Sequence, residues 1–369
     1  GIPDDDKNSD ANPDYSQDFL TFDTDHPFFN YGDDWNNNGV IDEQENDILP
    51  DYAYNPDLDG YHLFGSFEII RSLNLRFGTI RERATARGGK TSSDYLRLTY
   101  EASTPRFGGM NLLFVQKRVH DNIPNNGYQF IRDLTISAAV PEFVFDPLEY
   151  KNSLSNQIYL GTVYTQVPNL RIENNLKYEY NSQYGIGDGL RDSRGLYTNP
   201  EEQTDGHIVK LGIVNKIQYT VRILNNRLLL IPQFKVRTQK ILEKEQFRSA
   251  NGTVDVNSVK MHKQEIIPIF RIDYRLTDRT DLRVGLQGFS IPGTGSSFGY
   301  QIRYMQKPEE DENRSTFAIS LVNKTAYGGY NVVIDLGFKL TAREFPNQLD
   351  PRTRERKESL IYVTLFAGF

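Results

Sequence analysis

The chain closes on Leu360-Ile361-Tyr362-Val363-Thr364-Leu365-Phe366-Ala367-Gly368-Phe369. Ile361, Val363, Leu365, Ala367 and Phe369 fall on every second position, so they share one face of a strand. Working back from there, the same period recurs. In 169–180, Leu170, Ile172, Leu176, Tyr178 and Tyr180 face one way, with Asn174 the exception. Arg171, Glu173, Asn175, Lys177 and Glu179 face the other. In 207–222, Val209, Leu211, Ile213, Ile217, Tyr219 and Val221 oppose Lys210, Lys216, Gln218, Thr220 and Arg222. Period two over a dozen residues excludes an amphipathic helix.

Further predicted strands are 61–72, 75–86, 94–103, 109–120, 155–167, 227–242, 263–276, 280–291, 315–323, 330–344 and 357–369. At about 3.3 Å per residue, a dozen residues cross a bilayer core when tilted. Short connections such as Ser72-Leu73-Asn74 and Thr277-Asp278-Arg279 alternate with long ones at 121–154, 184–206, 243–262, 292–314 and 345–356. Short turns at one end and long loops at the other are the habit of membrane barrels. The fold class read from this pattern is all-β: an antiparallel transmembrane β-barrel over 61–369. The thirteen segments fall one short of the even number usual in single-chain bacterial barrels. Phe298–Tyr304 could be the missing one, but a full crossing there would reverse the topology upstream. A strand preceding Gly1 is the preferred reading, giving about 14 strands within a longer protein.

Composition agrees. Mean hydropathy is -0.58, and no apolar run approaches the roughly 20 residues of a membrane helix. Barrel strands average out as polar because lipid-facing and lumen-facing residues alternate. The 22 Tyr and 22 Phe suit interfacial aromatic girdles. The absence of cysteine excludes a disulfide framework, a thiol nucleophile and a Cys-ligated metal. No secretory leader opens the sequence.

Residues 1–60 differ from the rest. They carry fifteen Asp and two Glu against Lys7 alone, a net charge of -16 that leaves +9 for the remainder. Rich also in Asn, Pro and Gly, this segment reads as loop. With Phe369 ending in the periplasm, the alternation of strands puts 1–60 outside the cell.

Within it, residues 34–45 match the EF-hand calcium loop, D-x-[DN]-x-[DN]-G-x5-E. Asp34, Asn36 and Asn38 supply side-chain oxygens, Gly39 permits the sharp turn, and Val40 offers its carbonyl. Ile41 can anchor the loop, Asp42 ligates directly or through water, and Glu45 can ligate with both oxygens. Calcium suits this set because it takes six to eight hard oxygens in flexible geometry. Pro27, Gly32 and Pro50 argue against flanking helices. The expected cofactor is therefore Ca2+ in an isolated, structural loop. Asn55-Pro56-Asp57-Leu58-Asp59-Gly60 is a weaker acidic turn.

No enzyme is expected. His26, His62, His120, His207 and His262 have no metal-site spacing, and neither a nucleophile elbow nor a phosphate loop is present. A Ser/His/Asp site assembled across strands ranks third among the readings. The predicted polar faces display Arg97, Arg171, Lys177, Lys210, Lys216, Arg222, Lys235, Arg237, Arg271 and Arg275. Glu101, Glu173, Glu179 and Asp273 are mixed in. A basic wall favours anionic solutes; a salt-bridged filling would close the path instead. Nucleic acid is a poor partner for a chain that is acidic overall.

The terminal strand resembles the closing strand of bacterial outer-membrane β-barrels, whose last Phe helps the insertion machinery recognise the chain. The resemblance covers about 61–369 and is architectural. Asp18-Phe19-Leu20-Thr21-Phe22-Asp23, Tyr31–Gly39 and Glu45-Asn46-Asp47 look like the middle of large, uncharacterised surface proteins of Gram-negative bacteria whose barrel lies C-terminal. The resemblance implies an outer-membrane location, the lipid bilayer as a partner, and further domains or an extracellular protein partner. Two functions compete: a porin-like channel with a calcium-stabilised outer segment, and a plugged barrel acting as anchor or docking platform for a surface partner or filament.

Overall fold

The computed structural model describes residues 19–34, 41, 58–85, 88–106, 108–121, 127–133, 138–144, 152–184, 203–249, 252–290, 297–327, 330–350 and 352–368. The strands in chain order are β1 (Leu58–Ile70), β2 (Leu73–Ala84), β3 (Lys90–Thr104), β4 (Gly108–Asp121), β5 (Gly127–Asp133), β6 (Ala138–Val144), β7 (Ser153–Tyr164), β8 (Leu170–Tyr184), β9 (Gln203–Tyr219), β10 (Val221–Ile223), β11 (Leu228–Ser249), β12 (Gly252–Thr277), β13 (Thr280–Gln287), β14 (Phe289–Ser290), β15 (Ser297–Phe298), β16 (Tyr300–Tyr304), β17 (Glu312–Tyr327), β18 (Tyr330–Glu344) and β19 (Glu355–Gly368). Fifteen of them form one sheet in the order β1-β2-β3-β4-β7-β8-β9-β11-β12-β13-β17-β18-β19, with β10 and β16 off that path. Every predicted crossing has its counterpart along this order. Neighbours are next in sequence almost throughout, as in an up-and-down wall. No described helix is long and apolar enough to cross a membrane.

Exposure along the strands is inverted relative to a soluble sheet. On β9, Gly212, Val214 and Lys216 are buried while Asn215, Ile217 and Tyr219 are exposed. On β11, Gln233, Lys235 and Arg237 are buried and Phe234 is exposed. Ile361, Val363 and Leu365 of the terminal strand are 73%, 68% and 67% exposed. Charge inside and apolar side chains outside is the polarity of a transmembrane barrel.

Three details depart from expectation. The connection at 243–262 is not a loop. β11 and β12 pair all the way from Leu228↔Tyr274 to Ser249↔Gly252, forming a tall hairpin. Across it, Lys260 pairs with Glu243 at 2.7 Å. The long connection 121–154 contains a separate hairpin, β5 with β6. Finally, the connection expected over 292–314 contains the short strands β15 and β16, while Phe298–Tyr304, in line with the preferred reading, is not a crossing. β13 stops at Gly288, whose φ of +64° breaks the strand. The five residues of β16 then pair with β12 on one side and β17 on the other, above β13.

Candidate functional site

The acidic segment expected outside the cell contributes residues 19–34 to the inner face of the sheet. Side chains from β3 round to β17 converge on these sixteen residues, so the wall curves about them. The segment divides into an apolar foot, a charged middle and an aromatic head.

Leu20 and Phe22 form the foot. They pack in one buried cluster with Ile267 and Ile269 of β12, Tyr300 and Ile302 of β16, and Ala318 of β17. Burying two such side chains contributes about 3–6 kcal/mol. Gly285 of β13 makes the seat, because a Cβ there would lie 2.6 Å from Leu20 Cδ1. The main-chain N–H of Thr21 donates to Gln287 Oε1 at 3.0 Å.

Asp25 is the middle. Its carboxylate lies 2.8 Å from Lys216 Nζ and 2.7 Å from Lys235 Nζ. Lys235 is 0% exposed and also donates to the carbonyl oxygens of Thr21, Phe22 and Thr24 at 2.6, 3.1 and 2.5 Å. One ammonium thus ties down a turn of backbone and a carboxylate together. Burial alone would raise the Asp25 carboxyl, but the ammonium groups of Lys235 and Lys216 outweigh it and hold it below the usual carboxylate range. Asp23 reaches Arg171 at 3.6 Å.

The head begins at a short 3-10 turn, Pro27–Phe29. Lys177 donates to Phe28 O at 3.1 Å. Gly212 accommodates the rings of Phe28 and Phe29, each 3.1 Å from where its Cβ would be. Tyr31 stacks on Tyr159 with centroids 3.3 Å apart, and Asn111 donates to its hydroxyl at 2.9 Å. Asp33 pairs with Arg97 at 3.2 Å, and Lys117 donates to Asp34 O.

This geometry accounts for the basic wall. Arg97, Arg171, Lys177, Lys216 and Lys235 all bind the segment. Lys177 also pairs with Glu179 at 2.7 Å, and Lys210 reaches Glu179 at 3.9 Å. Arg237 pairs with Glu265, which also accepts from Tyr300 at 2.6 Å. Arg271 grips Asp273 through two 2.7 Å hydrogen bonds. Arg275 lies 4.0 Å from Asp281, and Arg222 donates to Asn169. Every cation expected along the lumen therefore has a partner. Hollows lie beside the segment among the described residues. One, of about 590 Å³, is lined by Glu68, Arg76, Arg97 and Glu101; another, of about 710 Å³, by Tyr31, Asn111, Tyr159 and Glu173.

Of the expected calcium ligands Asp34 is described; Ile41, the expected anchor, is also described and lies against Gly32. Asn36, Asn38, Val40, Asp42 and Glu45 lie outside the described residues. Among the described residues no cluster of His, Asp or Glu is arranged to hold a metal. Sequence reasoning missed the plug contacts of Leu20, Phe22 and Asp25. A usable signal lay in Gly212 and Gly285, glycines at inward positions of long strands, which often mark the close approach of another backbone.

No family model and no curated protein sequence matches the chain. Among solved structures it is similar to the β domain of the Bordetella autotransporter BrkA, at 10% identity and a TM-score of 0.30, over 80% of this chain and 96% of that one. It is also similar to the siderophore receptor PirA from Acinetobacter baumannii (10% identity, TM-score 0.36, 84% of this chain, 54% of that one). A third is the ferric citrate transporter FecA (12% identity, TM-score 0.37, 84% of this chain, 47% of that one). The chain spans about half the length of the last two. At these identities and scores the assignment rests on the chain's own geometry.

Proposed function

We propose that this chain is the wall of a bacterial outer-membrane protein whose lumen is closed by its own segment 19–34, and that it serves as an anchor or docking platform for a cell-surface partner, without enzymatic activity. The observation that carries this reading is Asp25 seated between Lys216 and Lys235, with Lys235 also holding three main-chain carbonyls. An open anion channel needs solvated cations along its path, and here they are spent on the plug and on neighbouring carboxylates. The stretch that begins at Asp34 would bind Ca2+ through Asp34, Asn36, Asn38, Val40, Asp42 and Glu45 as a structural brace. Lys117 supports this by fixing Asp34 where that loop starts.

Planar-bilayer conductance of the protein extracted from membranes tests the reading. The protein as it stands is expected to be silent, and deletion of 19–34 to open ohmic, anion-biased steps. Such steps in the unmodified protein would restore the porin-like channel. The two hollows beside the plug favour one secondary reading, a channel that conducts only after the segment moves. Calorimetric titration with Ca2+, with and without Glu45→Gln, tests the brace.

A further inference from the structure

The sheet has two open edges. Neighbours run antiparallel at every step of the order. β1 and β19, at its two ends, therefore run the same way, from the side of the long connections to the side of the short turns. Among the described residues no ladder lies beyond either of them.

The edge strands are also the ones exposed on both faces. On β1 the inward Ser66 neighbours an inward Glu68 that is exposed, while outward Tyr61, Leu63 and Phe67 are 52%, 63% and 57% exposed. On β19 the inward Glu358 and Leu360 are exposed, as are the outward Ile361 and Val363. Apolar outward side chains place both edges at membrane depth. There each unpaired N–H and C=O costs several kcal/mol, so an open edge cannot face hydrocarbon.

Strand direction decides what can cover these edges. Joining β1 directly to β19 would make a parallel pair. A second copy in the same membrane orientation also offers only parallel partners. An odd number of strands running the other way completes antiparallel ladders at both edges. Residues 1–57 precede β1 on the side of the long connections. Their described part folds into the lumen, as an inward-bent loop between two strands would.

We propose that the wall is completed by an odd number of antiparallel strands of the same polypeptide, upstream of Gly1, with the strand beside β1 joined to it through residues 1–57. These strands carry polar residues inward and apolar residues outward at period two, continuing the faces of β1 and β19. The proposal rests on reading the sheet as a membrane-spanning wall.

The chain has no cysteine, so engineered cross-links are unambiguous. In the natural full-length polypeptide in its own membrane, photo-reactive residues are stepped along 63–67 and 361–365, and cysteine pairs are placed across the same two stretches. Cross-links from both edges are expected on segments upstream of Gly1 of the same molecule. Their targets should move toward the N-terminus as the probe on β1 moves toward the short turns. A β1–β19 disulfide would overturn the proposal, as would cross-links to a second copy, to another protein or to residues 35–57. Absence of cross-links in a protein that resists alkaline extraction would overturn it too, while sparing the membrane-spanning reading. Release of the protein by alkali would sink that reading itself.

Discussion

The middle of this sheet and its edges share one pattern and end in opposite states. On β8, β9, β11 and β12 the inward Glu173, Lys216, Lys235 and Glu265 are all buried. On β1 and β19 the inward Ser66, Glu68, Glu358 and Leu360 are exposed. Both regions alternate polar and apolar residues, so the alternation does not cause the difference. The cause is cover: residues 19–34 press on the middle strands, while among the described residues no strand lies beyond the outermost ones. The inward charges in the middle are thus part of a packed interior. They hold a segment in place.

Asp25→Asn should break this arrangement most. Lys216 and Lys235 would remain buried beside a neutral amide, and removing one partner of a buried charge cluster costs about 3–5 kcal/mol. At 1.36 kcal/mol per tenfold, that raises the undocked population of the segment by at least about 100-fold. Proteolytic cleavage within 19–34 should accelerate by a similar factor while the sheet's circular dichroism stays unchanged. Adding Lys235→Met to this variant should recover part of the loss; strict additivity would show that the two side chains do not interact.

Acid should act through the same carboxylate. Because its folded value is depressed, Asp25 contributes stability that is fully present above its unfolded value of about 3.9 and is lost as pH falls through the lower folded value. Protection of 19–34 against an acid-active protease should therefore persist at pH 5 and fail only below about pH 4. Loss of protection already near pH 6 would mean that some other group holds the plug.

Lys235→Met alone is a smaller perturbation, since Lys216 still serves Asp25. The carbonyls of Thr21, Phe22 and Thr24 lose a charged donor, at a cost of about 2 kcal/mol. Gly285→Val probes the foot without touching charge. Its new side chain meets Leu20, and overpacking of this kind costs about 1–3 kcal/mol. Leu20 and Phe22 should lift while Tyr31 stays stacked on Tyr159. Tyrosine-ring contacts followed by NMR in detergent separate the two ends of the segment.

The wall was legible in the sequence because period two survives at each strand whatever lies inside. The inward and outward faces of 169–180 and 207–222 follow from alternation alone. The tall hairpin was obscured by its polar text: beyond the apolar band, strand pairing needs no apolar stripe, so Glu243–Ser249 looks like loop. The plug was hidden for a different reason. Phe19-Leu20-Thr21-Phe22 is a short apolar island in an acidic stretch, and nothing local to it names the distant residues Lys216, Lys235 and Ile267. Its place is decided by complementarity between segments some two hundred residues apart. Charge bookkeeping hinted at it, since an acidic stretch precedes a basic wall, but the same asymmetry suits an outer loop facing solvent.

The smallest effect is expected from an ion pair that resembles the plug's in distance and differs in setting. Arg81 and Asp94 lie 2.7 Å apart on the outer face of β2 and β3, with side chains 35% and 57% exposed. Arg81 also donates to Ile80 O and Ser93 O, at 2.9 and 3.1 Å. Both side chains are already partly exposed, so Arg81→Gln should cost less than about 1 kcal/mol. Thermal unfolding in detergent and cleavage of 19–34 should both be unchanged within error. A release of the segment comparable to that of Asp25→Asn would show that the outer face of β2 and β3 and the middle are one cooperative unit, and that burial of the Asp25 cluster is not what distinguishes them.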